Sequence, residues 1–125
     1  MERDDVVRWL HDYIEAWKAY DREGIGALFA ADARYRYHPY DEWINGREEI
    51  VESWFDEPDE PGTYAAAYEP VAVEGDVAVA TGSSTYYEAD GSTVRTVYDN
   101  CFVIRFDSAG RCAEFTEWFV ERPAP

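Results

Sequence analysis

Basic residues are scarce in this sequence: 11 Lys and Arg stand against 27 Asp and Glu, for a formal charge of -16. A surface of that sign repels phosphate backbones and anionic lipid alike, so neither nucleic acid nor a membrane is expected as a partner. The carboxylates are spread along the chain and read as a solvated face. Only Asp56 to Glu60 forms a short acidic run, and Pro58 and Pro61 mark it as loop. Long apolar runs are missing too. No stretch approaches the ~18 residues of a membrane span, and the opening Met-Glu-Arg-Asp-Asp is unlike a secretory signal; a cytoplasmic location is the expectation.

Cysteine and histidine number two each. Cys101 and Cys112 fall on neighbouring strands of one expected hairpin, about four residues out of register, and at ~3.3 Å per residue that is too far for a disulfide. Both are expected to be free and buried. Two separated histidines, two unaligned cysteines and no His-Glu-x-x-His or paired-Cys spacing leave no metal site to expect. There is no Gly-x-Ser-x-Gly and no phosphate loop, and Gly24-Ile25-Gly26 lacks both the third glycine and the preceding strand of a dinucleotide fingerprint. No cofactor is expected.

What the chain has is aromatic and apolar residues, 17% and 46%, enough for a folded core in one domain spanning residues 1–125. Val6, Leu10, Tyr13 or Ile14, Trp17 and Tyr20 recur at threes and fours and predict a helix over 4–20. A second helix is predicted over 22–31, where Ile25, Leu28 and Phe29 share a face, and the alternation of Tyr35 and Tyr37 predicts a short strand ended by His38-Pro39. Asn45 with Glu48 resembles a capping box that opens a third helix, with Ile50, Val51, Trp54 and Phe55 as its stripe until Pro58. From Thr63 the period becomes two. Turn signals at Glu74-Gly75-Asp76, Asp90-Gly91 and Asp107 to Gly110 cut the rest into four strands, about 63–73, 77–88, 94–106 and 111–120, forming an antiparallel meander. Segregated helices and strands specify an α+β fold with a curved sheet over the helices.

On the third of these strands Tyr98, Asn100, Phe102, Ile104 and Phe106 share the face expected to look toward the helices. Thr81, Ser83, Thr85 and Tyr87 of the preceding strand are expected to join them, as a row of small hydroxyls and an aromatic suited to lining a cavity. Arg95, Val97, Asp99, Cys101, Val103 and Arg105 take the opposite, convex face, with Asp99 paired to Arg95 and Arg105. For the last strand a one-residue difference in the turn at Asp107 to Gly110 leaves two registers. In one, Phe115, Glu117 and Phe119 face inward with Glu117 opposite Asn100; in the other, Thr116 and Trp118 do.

The order of these elements carries Tyr13-Ile14-Glu15, Leu28-Phe29-Ala30-Ala31-Asp32-Ala33, Gly46-Arg47-Glu48-Glu49-Ile50 and Ile104-Arg105-Phe106-Asp107 ahead of Gly110-Arg111. In this it resembles the nuclear transport factor 2-like superfamily, and more narrowly its SnoaL-like members, relatives of the steroid delta-isomerases. The resemblance covers nearly the whole chain and implies a cone of cystatin-like topology, three N-terminal helices packed on a curved antiparallel sheet. That fold hosts isomerases, dehydratases, epoxide hydrolases, cyclases and non-catalytic binders. Carried over by position, the isomerase's oxyanion-hole tyrosine falls on Tyr13. Its catalytic-base aspartate falls on Tyr37, or on His38 if Asp-Pro is matched to His-Pro. Its second oxyanion donor falls on Phe102, which has no proton to donate, so steroid isomerisation by that machinery is not implied. The same alignment puts Phe115, Glu117 and Phe119 on the pocket side and favours the first register.

His38 carries an imidazole that titrates near neutrality and can take or give a proton at the expected pocket mouth; alternatively it satisfies a loop hydrogen bond. An inward Glu117 is a carboxylate among Phe102, Phe115 and Phe119, where desolvation raises its pKa toward acid-base use; alternatively it bonds to Asn100 for structure alone. Tyr13, Tyr87, Tyr98 and Asn100 can orient a carbonyl or hydroxyl. Ser83, Thr85, Trp17, Tyr37, Trp54, Phe102, Phe115 and Phe119 complete the expected substrate contacts, core packing being the commoner role for the tryptophans and phenylalanines. The expected function is cofactor-independent acid-base chemistry (isomerisation, dehydration or hydrolysis) on a small, largely apolar molecule. Its catalytic residues would be His38, Glu117 and Tyr13, and the alternative is a binding module without turnover. The convex face mixes apolar and charged groups suited to a homodimer.

Overall fold

The computed structural model describes residues 1–124; Pro125, the last residue of the expected single domain, lies outside the described residues. The elements in chain order are α1 (Arg3–Ala19), α2 (Arg22–Gly26), β1 (Phe29–Arg36), β2 (Ile44–Asn45), α3 (Arg47–Trp54), β3 (Tyr64–Glu74), β4 (Val77–Tyr87), β5 (Val94–Phe106) and β6 (Cys112–Glu121). Helix α1 opens with the Glu2 amide donating to Asp5 Oδ2 at 3.0 Å, and it buries Val6, Trp9, Leu10, Tyr13 and Ala16 along one face. It stops at Tyr20, a non-glycine residue in the left-handed region at φ 46°.

Two helix boundaries differ from those predicted. Helix α2 ends at Gly26 rather than near residue 31, because the Leu28 carbonyl accepts from the Trp9 indole at 3.0 Å and from the Cys112 amide at 2.8 Å. Those partners belong to α1 and the sheet, and Phe29 begins β1. Helix α3 is capped by Gly46, not Asn45, since Asn45 is spent pairing with Arg34 in the sheet. Gly46 turns the chain at φ 90°, a value that glycine alone adopts without strain.

The sheet has six strands in the order β2-β1-β6-β5-β4-β3. All neighbours are antiparallel except β1 and β6, which run parallel and join the first strand to the last. Two bulges set which side chains face the helices. Between β4 and β5, Tyr86 pairs with Thr96 but Tyr87 with Val94, leaving Arg95 as the extra residue. Ser84 therefore lies opposite Tyr98 and Ala80 opposite Phe102, so Ala78, Ala80, Ser84 and Tyr86 look inward. The expected row of Thr81, Ser83, Thr85 and Tyr87 is corrected: a one-residue bulge reverses every side chain of the strand. Ser83 and Thr85 share the outer face with Asp99 and Val97, their partners.

Between β5 and β6 the extra residue is Ala113, for Arg105 pairs with Glu114 and Phe106 with Cys112. Phe115, Glu117 and Phe119 share the inner face, with Glu117 opposite Phe102 rather than Asn100; Thr116 and Trp118 point out. The core closes around Phe29, Tyr35, Phe102 and Phe115, all essentially without exposure. Trp9 meets Phe29 and Phe106 edge-on at 6.2 and 5.6 Å, an arrangement aromatic quadrupoles favour. Both cysteines are free, Cys112 buried and Cys101 only half-buried; Cys101 lies opposite Trp118 and Cys112 opposite Phe106. Burial pushes the Cys112 thiol's pKa upward. No helix among the described residues is long and apolar enough to cross a membrane.

Candidate functional site

The helices do not fill the sheet's concave face, and a cavity of about 640 Å³ remains. Local periodicity supplies its walls. Helix α1 contributes Tyr13 and Trp17 one turn apart, with Tyr20 beyond its end; β1 contributes Tyr35, and Tyr37 follows two residues on. Helix α3 gives Ser53 and Trp54, and the loop after it gives Asp56, Glu57 and Asp59. The sheet supplies Tyr68, Ser84, Tyr86, Arg95, Tyr98, Asn100, Glu117 and Phe119.

A directed hydrogen-bond line crosses the inner face. The Tyr68 and Ser84 hydroxyls are 2.7 Å apart, Ser84 donates to Asn100 Oδ1 at 2.8 Å, and Asn100 Nδ2 donates to Glu117 Oε2 at 2.7 Å. With its carbonyl accepting from Ser84, Asn100 turns its amide toward Glu117 and fixes Oε2 as an acceptor. A proton on this carboxyl is then carried by Oε1, which has no hydrogen-bond partner among the described residues. Burial among aromatic rings pushes the Glu117 pKa up from 4.5 to about 7, against the smaller opposing effects of the Asn100 bond and the charge of His38. A group titrating there exchanges a proton at neutral pH with little cost in either direction.

Around it stand phenols that keep their protons. The Tyr13 and Tyr35 hydroxyls are 3.1 Å apart, and burial first, with the Glu117 charge adding, holds both pKa values well above the ordinary range. Burial also pushes Tyr37 up to about 12. One hydroxyl of the Tyr13–Tyr35 pair donates to the other, which leaves one proton of the pair without an acceptor among the described residues. Tyr37 bonds to Ser53 Oγ at 2.9 Å, and Ser53 in turn donates to the Ile50 carbonyl. Phe115 stacks on Tyr35 at 4.5 Å with rings 3° from parallel, holding the pair from below.

Of the residues singled out in the sequence, Tyr13, Trp17, Tyr37, Trp54, Tyr98, Asn100, Glu117 and Phe119 line the cavity. Phe102 and Phe115 lie beneath the wall in the core. Ser83, Thr85 and Tyr87 are outside it, replaced by Ser84 and Tyr86 through the Arg95 bulge. His38 is not among the residues that line the cavity; half-buried, it stands beside one that does, Phe119. Its Nδ1 is 2.9 Å from Asp41 Oδ2, and its ring packs against Tyr40 at 4.9 Å and Phe119 at 5.0 Å.

Arg95, expected on the convex face beside Asp99, stands at the cavity mouth with its guanidinium 5.6 Å from the Tyr86 ring centroid. Asp99 pairs instead with Arg122 through two 2.8 Å bonds, and Arg105 with Asp76. Tyr20, Tyr35, Tyr68 and Asp59 were not legible as site residues, although Tyr35 carried a signal in its alternation with Tyr37. Among the described residues no three His, Cys, Asp or Glu side chains come together as metal ligands.

Solved structures share this architecture. An NTF-2 like protein of unknown function from Burkholderia xenovorans LB400 is 18% identical, with 98% of this chain and 90% of that one covered and a TM-score of 0.71. A candidate ketosteroid isomerase from Kribbella flavida DSM 17836 is 18% identical over 98% and 83% of the two chains, with a TM-score of 0.68. An LEH-like epoxide hydrolase from M. tuberculosis is 14% identical over 96% and 86%, with a TM-score of 0.65. At such identities the likeness extends to the fold alone. No curated protein matches the chain. The SnoaL-like domain family matches residues 10–115, most of the sequence, from within α1 to within β6, and stops short of the cavity-lining Glu117 and Phe119; the chain belongs to that family.

Proposed function

We propose that this chain is a cofactor-independent enzyme that moves a proton on a small, largely apolar molecule held in the cavity, as in an isomerisation, dehydration or hydrolysis. The observation that carries the proposal is Glu117: one carboxyl in an aromatic cavity, anchored through Oε2 by Asn100, with Oε1 open and a pKa near 7. Glu117 takes the proton from the bound molecule as general base, or delivers it as general acid. The free proton of the Tyr13–Tyr35 pair donates to the oxygen on which negative charge develops. Asn100 and Tyr98 orient the substrate's polar end, and Trp17, Tyr37, Trp54 and Phe119 enclose its apolar body. His38 is the group that exchanges the proton with solvent, and when protonated it favours the ionised form of Glu117.

A benzisoxazole whose ring opens on loss of one C–H proton tests the base without knowledge of the natural substrate. Wild-type protein is expected to accelerate the opening with a rate that rises through pH about 7, and Glu117→Gln to lose about 100-fold or more. A Glu117→Gln protein as fast as wild type would remove Glu117 from the mechanism, and an unchanged rate in His38→Ala would remove His38.

A second reading, ligand binding without turnover, is favoured by one feature. His38 Nδ1 is engaged by Asp41, and the line from Tyr68 to Glu117 is internally satisfied up to its last oxygen. It predicts saturable binding with no rate enhancement. In either reading we propose a homodimer through the outer face of the sheet, where Val97, Cys101 and Val103 lie beside Trp118 and Val120, which are 42% and 70% exposed.

A further inference from the structure

We propose that the molecule taken by this cavity carries a fixed or protonated positive charge on its apolar body, an amine or quaternary ammonium, seated against the tyrosine rings with Glu117 as its counter-charge. The inference rests on the reading of this cavity as the substrate site and names the class of substrate. Three observations on the walls carry it.

The first is the charge inventory. Asp56, Glu57, Asp59 and Glu117 give the lining four carboxylates against one guanidinium, that of Arg95. Asp56 and Glu57 are exposed and Glu117 is half-buried, so an anionic ligand would meet carboxylates on both the open and the more enclosed parts of the lining, within a chain already at -16. A cation meets the opposite.

The second is what the tyrosines have left to offer. The hydroxyls of Tyr20, Tyr37 and Tyr68 are engaged by Asp59, Ser53 and Ser84, and those of Tyr13 and Tyr35 by each other. A cavity with this many phenols would suit an anion only if their O–H groups pointed at it. Among the described residues the Tyr86 and Tyr98 hydroxyls and one proton of the Tyr13–Tyr35 pair are left unengaged; Tyr20, Tyr37 and Tyr68 have only their rings to offer a ligand, and a ring's quadrupole attracts cations. Arg95 already uses the wall in this way, its guanidinium over the ring of Tyr86.

The third is the open Oε1 of Glu117. Ionised and without a hydrogen-bond partner among the described residues, that oxygen has no compensating group on the protein, and a ligand of opposite charge would supply one. An ammonium nearby also favours the ionised carboxyl, which is the form a general base requires.

Calorimetric titration of the full chain with three probes of the same ring decides the matter: benzyltrimethylammonium, benzyl alcohol and benzoate. The ammonium is expected to bind about tenfold or more tightly than the alcohol, and benzoate more weakly than either. Glu117→Gln should lower the ammonium's affinity about tenfold while leaving benzyl alcohol's unchanged, and Tyr86→Leu should lower it by a smaller factor. The proposal is overturned if the alcohol or benzoate binds as tightly as the ammonium, if the ammonium shows no binding at millimolar concentration, or if Glu117→Gln leaves its affinity intact. Should Glu117→Gln not fold, the ranking of the probes on the wild-type chain decides alone. Binding is read without turnover, so the two proposals fail separately. Ammonium preference with an unchanged elimination rate in Glu117→Gln upholds the ligand class and retires the base; benzoate preference with elimination lost does the reverse.

Discussion

Ionising Glu117 in this cavity costs the water that would otherwise solvate its charge, and that cost is legible in the stability of the protein. Its folded pKa of about 7 lies above the ordinary 4.5, so the native state holds the proton more tightly than the unfolded chain. The contribution is therefore neutral below about pH 4.5, turns against folding as pH rises toward 7, and stays unfavourable above. The groups that face this carboxyl are the phenols of Tyr13, Tyr35, Tyr37, Tyr68 and Tyr86, the Asn100 amide and His38. Chemical denaturation of Glu117→Gln and wild type in parallel should show the balance moving in favour of Glu117→Gln by about 2–3 kcal/mol between about pH 4.5 and about pH 8. A constant difference would mean that Glu117 is solvated.

Gly82 offers a second test at this scale. A Cβ there would lie 2.0 Å from the Ala67 carbonyl oxygen and 2.7 Å from the Tyr68 ring. Gly82→Ala should thus lower the urea midpoint at unchanged slope, by about 3 kcal/mol or more, and displace Tyr68 from the bond to Ser84.

Between elements, the loop from α3 to β3 is tied to α1 by one side chain. Asp59 Oδ2 accepts from the Trp17 indole at 3.2 Å and the Tyr20 hydroxyl at 3.4 Å, while the Asp59 amide donates to the Tyr20 oxygen at 2.9 Å. The same contacts hold Tyr20 in its left-handed conformation at the end of α1. Asp59→Ala is expected to speed amide exchange in residues 56–62 several-fold or more while leaving β5 and β6 as slow as in wild type, because those strands open only with the whole domain. Uniform protection in the variant would show that Pro58 and Pro61 alone order the loop. Much of this scale was legible in the chain. The threes and fours of Val6 to Tyr20 gave α1, and the change to period two gave β3 through β6. Asp59, however, read only as part of an acidic run, because its partners lie some forty residues earlier in the chain and come near it only once α1 has packed.

For the whole molecule the outer face of the sheet is the test. If two copies associate through Val97, Cys101, Val103, Trp118 and Val120, light scattering at micromolar concentration should give twice the chain mass, and Trp118→Lys should return it to one. Each copy brings a formal charge of -16, so the dimer should strengthen as salt is added, the reverse of an association held by ion pairs. A monomer at all salt concentrations removes the proposal.

The sequence by itself determined the class of fold, most of the helical and extended segments, the family and the aromatic character of the cavity. These depend on periodicity and composition, which the covalent chain carries locally. Tertiary structure alone decided which residues reach the cavity. Ser84 and Tyr86 displaced Ser83, Thr85 and Tyr87 because the chain makes room for Arg95 as a bulge. Phe29 left α2 for a strand because two distant donors claim the Leu28 carbonyl, and Glu117 met Asn100 diagonally because Ala113 bulges from β6. Each outcome turns on one residue of register, and register is set by the packing of strands that are distant in sequence, not by the pattern within any one of them.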